Sequence, residues 1–266
     1  MKEIKVDQNT WPVADVRSLE ANRAQGVEGN DVRNLLPPTF DAYLKIFDFL
    51  YDQSKSPAER VSWKLATEMA SLEFTPELGY WSFHRPGSHI WNWPEDFHPD
   101  RSDRPTSGLC LETAEALVEV LRPFTGQQEC YFYFDDWKTW CGPKCFSGPL
   151  EEFSLFYTQS LLASPYQTPT YIWPEDRGWC FNSDDDLEFV VLGCSKDLAA
   201  KILSSAELES IEVQLTTRID AKADVVNLTK DVPQIYQPVW EQEVDYDAID
   251  KATEEEPNNQ INLPPN

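Results

Sequence analysis

The sequence predicts an α+β fold: amino-terminal helices packed on a mostly antiparallel sheet, followed by an acidic, flexible carboxy-terminal tail. Three observations predict it. Apolar residues recur at three- and four-residue spacing through residues 40–72. From residue 129 onward the period shortens to two, or the apolar run becomes continuous. Residues 241–266 then carry eight acids against one lysine, a net charge of −7. Helices first and strands after, rather than strict alternation, define the class.

Taken in order, residues 1–37 read as a loosely structured segment. Gly26, Gly29 and Asn30 interrupt any period, and Pro37-Pro38 closes the stretch. Residues 38–230 read as one α+β domain. Thr39 is placed to cap a helix with Phe40, Tyr43, Leu44, Phe47, Leu50 and Tyr51 on its face. Ser56-Pro57-Ala58-Glu59 has the pattern of a capping box, opening a second helix marked by Val61, Leu65, Met69 and Leu72. Residues 77–104 are aromatic-rich loop or short strand and hold all three histidines. A third helix is expected over 111–121, with Pro123 ending it. Strands are expected over 129–134, 152–157, 170–173, 178–182, 187–192 and 211–215. Ser195 caps a late helix with Leu198, Ile202 and Leu203 inward. Residues 231–266, rich in proline and acid, read as the tail.

Hydrophobic residues make up 41% of the 266, enough for a packed interior. The net charge is −24, and the body keeps −17 of it without residues 241–266. Such a surface disfavours direct nucleic-acid binding and anionic membranes, and favours encounter with a basic protein. No apolar run of signal length follows Met-Lys-Glu-Ile-Lys-Val-Asp, and none reaches membrane-spanning length. The expected compartment is the cytoplasm, where the six cysteines stay reduced.

Ile172-Trp173-Pro174-Glu175-Asp176-Arg177-Gly178-Trp179-Cys180 is the most distinctive stretch. Its two tryptophans predict burial, and a buried arginine requires a paired acid. The plain reading of Glu175, Asp176 and Arg177 is an internal ion pair fixing strand register. The functional reading is an arginine presented to a carboxylate or phosphate. His84, His89 and His98 with Asp96 or Asp100 would suit zinc chemically, but no pair has helical spacing and prolines break the segment, so no metal is assigned. Cys141 and Cys145 are one residue too far apart for a redox pair. Asp135-Asp136 and Asp184-Asp185-Asp186 read as solvated turns at strand ends.

Four pieces together carry a family resemblance. They are Pro105-Thr106-Ser107-Gly108-Leu109; Phe124-Thr125 with Cys130-Tyr131-Phe132 and Trp137; Trp173 to Cys180; and Gly193-Cys194-Ser195 with Leu208-Glu209. In these the chain resembles a family of uncharacterised bacterial proteins with a W-P-x-D-R-x-W-C motif, over roughly residues 60–215. Tyr131 and Phe124 depart from that pattern, which favours tryptophan and histidine there. The resemblance implies domain boundaries and no reaction.

These observations favour a binding protein over an enzyme and call for no cofactor. The expectation is an acidic protein-binding module, such as an immunity protein or inhibitor that neutralises a basic toxin or nucleic-acid enzyme. Trp91 and Trp93, with Asp96, Asp100 and Asp103, are the expected binding surface. The alternative is an enzyme whose catalytic set is Arg177, Glu175, Asp176, His84 and His89.

Overall fold

The computed structural model describes residues 1–6, 10–13, 15, 30–83, 88–91, 109–135, 142–154, 156, 168–183, 187–220 and 222–228. Residues 1–228 form one compact unit. The tail expected over 231–266 lies outside the described residues.

A large antiparallel sheet dominates. Its strands are β1 (Lys2–Ile4), β2 (Ala42–Phe47), β6 (Cys130–Phe134), β7 (Lys144–Gly148), β8 (Tyr171–Pro174), β9 (Trp179–Ser183), β10 (Phe189–Cys194) and β11 (Glu209–Val213). Their order is β1-β7-β6-β8-β9-β10-β2-β11. A second sheet, ordered β4-β3-β5, joins β3 (Leu50–Asp52) to β4 (Glu59–Val61) and β5 (Ile90–Trp91). Among the described residues the longer helices are α1 (Trp63–Met69), α2 (Leu111–Thr125) and α3 (Lys196–Leu203).

This corrects the expected fold class. No amino-terminal helical layer packs on the sheet among the described residues; residues 42–47 and 50–52 are strands. The physical reason is burial on both faces. Every residue of β2 is buried, with Ala42, Leu44 and Ile46 in one core and Tyr43 and Phe47 in the other. A strand covered on both sides shows a continuous apolar run, and a short run of that kind also matches helical spacing. The second expected helix shrinks to seven residues. Residues 59–61 pair with β3, and Ser62, rather than Ser56, accepts the N–H of Leu65 as the cap.

Other elements differ in extent. Residues 152–154 are helical rather than extended. Helix α2 continues through Pro123, which is exposed, and stops at Gly126, where φ is 63°. That left-handed conformation carries no Cβ penalty at glycine. Ser195 caps α3 by accepting the N–H of Leu198 at 3.4 Å. Part of the amino-terminal segment is built into the body: β1 pairs with β7, and Val32 and Leu36 are fully buried.

The sheet separates two cores. Helices α2 and α3 cover one face through Leu117, Leu121, Leu198 and Ile202, against Phe132, Phe181 and Leu192. Trp11, Leu36, Trp63, Leu78 and Phe83 cover the other, against Tyr133, Trp173 and Val191. Each such large side chain contributes about 1.5–3 kcal/mol on burial. The two motif tryptophans divide between these faces. Trp179 donates its indole N–H to Thr125 on α2 at 3.0 Å, while Trp173 stacks on Tyr131 with ring centroids 5.5 Å apart.

Candidate functional site

The sequence-selected arginine is on the surface. Glu175, Asp176, Arg177 and Gly178 are exposed and form the turn between β8 and β9. The N–H of Arg177 donates to the carbonyl of Pro174 at 2.9 Å. Asp176 closes the turn by accepting the N–H of Gly178 at 2.8 Å and the amide of Gln128 at 2.8 Å. Short polar residues that bond their own backbone specify such turns. Arg177 has φ 58° and lies over the Trp11 ring, 5.0 Å from its centroid. The expected internal ion pair is therefore replaced by an exposed cation–π contact.

His89 is exposed beside β5 of the small sheet, and its carbonyl accepts the N–H of Gln53. Among the described residues no hydrogen bond or ion pair joins it to Arg177, Glu175 or Asp176. His84, Trp93, Asp96, Asp100 and Asp103 lie outside the described residues. The backbone of Trp91, in β5, pairs with Tyr51 of β3. Among the described residues no group of three or more His, Cys, Asp or Glu is placed to hold a metal ion. Nor does a described cysteine have thiolate character. Burial pushes the Cys110, Cys130, Cys145 and Cys194 thiols up to about 12, and Cys180 well above its usual value.

A concave feature lies elsewhere among the described residues. A groove of about 890 Å³ runs between α2, the corner that joins β2 to β3, and the loop before β11. Its volume falls within the range of ligand sites, roughly 300–1,000 Å³. Phe47, Phe49, Ala116, Val118 and Leu208 supply apolar surface. Among the described residues seven carboxylates line it against one guanidinium, that of Arg122, a formal charge of −6.

Helix α2 explains part of this. Glu112, Glu115, Glu119 and Arg122 recur every three or four residues and so share one face. The opposite face holds Ala114, Leu117 and Leu121 in the core. Arg122 is tied to Glu119 and, at 3.2 Å, to Glu151. Arg60 pairs with Glu112 at 3.1 Å and lies over Phe49. Exposed Glu115 and Glu207 make no ion pair among the described residues.

Two deeper carboxyls differ from these. Asp48 accepts the hydroxyl of Thr113 at 3.0 Å, and Thr113 in turn contacts the Cys110 sulfur at 3.3 Å. Burial raises the Asp48 carboxyl above its ordinary value, against the opposing hydrogen bonds from Cys110, Thr113 and the Phe49 N–H. Glu209 accepts the N–H groups of Trp63 and Lys64 at 2.5 and 2.7 Å, and burial raises it too. The groove thus has exposed walls rich in carboxylates and a more desolvated end. Such an arrangement attracts cations that carry an aliphatic stem.

None of the residues expected from the sequence to form a site lines this groove. The acid row on α2 is visible in the spacing, but Asp48, Glu151, Glu207 and Glu209 come from separate elements. No protein-family model, curated protein or solved structure matches this chain.

Proposed function

We propose that this protein is an acidic binding module that takes a lysine- or arginine-bearing segment of a basic partner into the α2 groove. The observation that carries the reading is the groove itself: seven carboxylates, one guanidinium and an apolar floor around one concavity. The net charge of −24 draws a basic partner in at long range, and the groove fixes it at short range. Val118 and Leu208 suit the methylene stem of an inserted side chain, and Glu115 and Glu207 suit its charged head. A partner neutralised in this way is one whose own function needs exposed basic residues, as a toxin or nucleic-acid enzyme does. Immunity or inhibition is the role that follows.

Calorimetric titration with an octalysine peptide tests it. The double charge swap Glu115→Lys with Glu207→Lys removes groove carboxylates. Glu68→Lys with Glu175→Lys makes the same change in net charge elsewhere on the surface. The groove swap is expected to weaken binding at least about tenfold more than the control swap, and added salt to weaken the wild type. Equal losses in both swaps would reduce the interaction to net charge and remove the reading.

A further inference from the structure

We infer that Lys45 is a proton-operated latch that holds the 73–83 crossing, and with it residues 222–228, against the sheet. Lys45 occupies the middle of β2 and is fully buried. Its neighbours across the ladder are Val191 and Ile211, both apolar. The side chain lies on the face covered by Trp63, Leu78 and Phe83. Its Nζ donates to the Leu78 carbonyl at 2.7 Å and the Pro76 carbonyl at 3.0 Å. It sits 3.9 Å from the ring centroid of Phe189 and 5.6 Å from that of Phe47. The crossing thus supplies two acceptors, and aromatic rings make up the rest of the amine's surroundings.

A second set of bonds holds the same crossing from the carboxy-terminal side. Ser82 donates to the buried Asp224 carboxylate at 2.5 Å. Thr75 reaches the other oxygen at 3.4 Å. Asn227 accepts the N–H of Glu73 at 2.8 Å and returns an N–H to its carbonyl at 2.9 Å. Asn227 also donates to Asp224 at 2.7 Å, so the two act as one clip. The clip fastens residues 222–228 to the crossing, so lifting the crossing off Lys45 carries both segments away together.

The charged groups facing Lys45 are Glu77 from the crossing, Asp224 from residues 222–228, and Glu188 just before β10. All three favour the ammonium. Burial outweighs them and lowers Lys45 to about 7, from an ordinary value of 10.5. In the lifted form Nζ meets water and returns toward that ordinary value. Opening then takes up one proton. Between the two values each unit of acidification favours opening by up to about tenfold, and below the closed-state value the effect levels off. The latch is tight in mild alkali and loosens as pH falls to neutrality.

Amide hydrogen exchange of the full chain, followed by mass spectrometry from pH 6 to 9.5, tests the latch. Opening constants corrected for intrinsic exchange are read for 73–83 and 222–228, with β6 as reference. They are expected to rise by up to about 100-fold from pH 9 to 7 in the wild type and then level. Lys45→Met is expected to abolish the rise, and β6 to lack it throughout. A wild-type profile flat with pH, or an unchanged rise in Lys45→Met, would overturn the proposal. If the variant does not fold, side-chain NMR of the wild-type lysines decides: one titrating near neutrality supports the latch, and all titrating near 10 overturns it.

Discussion

The carboxylate of Glu209, on edge strand β11, accepts the backbone N–H of Trp63 at 2.5 Å across 146 residues of sequence. Its second oxygen takes the N–H of Lys64. One side chain thus satisfies two of the unpaired donors that any helix start exposes, and pins α1 to the large sheet. Glu209 also lines the groove. Glu209→Ala is expected to cost about 1–2 kcal/mol, comparable to the loss of a strong helix cap. Urea unfolding of both proteins checks this. A change below about 0.5 kcal/mol would mean that water replaces the carboxylate without loss.

Asp48 sets a pH dependence of definite sign. Its folded-state value is raised above 3.8, chiefly by burial. The folded protein therefore holds that proton to higher pH than the unfolded chain does. Stability contributed here is full below 3.8 and is lost as pH rises through the raised value. Asp48→Asn keeps an acceptor for Thr113 and cannot ionise. It is expected to flatten this part of the stability profile and to be neutral or stabilising at pH 7. Chemical denaturation at half-unit pH intervals checks the slope.

Gly193 answers to packing rather than to its backbone angles. A Cβ built there would lie 2.3 Å from Cδ2 of the Phe40 ring. That ring is held edge-on by Tyr43 and Trp11, with centroids 6.0 and 6.4 Å away. Gly193→Ala is expected to destabilise by about 1–3 kcal/mol, the usual cost of overpacking. Phe40→Leu in the same chain should recover part of the loss. A double-mutant cycle with no coupling would show that the ring moves aside freely.

The elements legible in the sequence are those whose pattern has one physical source. The aromatic run Cys130 to Phe134 pairs on both sides as β6, and Ser195 before Leu198 caps α3. The strand β2 misleads because burial on both faces erases alternation, and Lys45 gives the run a false polar side. The Glu175–Gly178 turn misleads differently. The flanking tryptophans are buried as expected, but Asp176 and Gly178 specify an exposed reversal that carries Arg177 outward. The groove was only partly legible. Glu112, Glu115 and Glu119 announce one wall, but Asp48 and Glu207 reach it only through the tertiary fold.

Amide chemical-shift mapping on the isotope-labelled protein, titrated with octalysine, locates the bound peptide on the surface. Binding in the groove is expected to give saturable shifts concentrated at Asp48, Thr113, Ala116, Val118 and Glu207, with residues 175–178 unmoved. Shifts spread over every acidic face, or gathered away from α2, would contradict it.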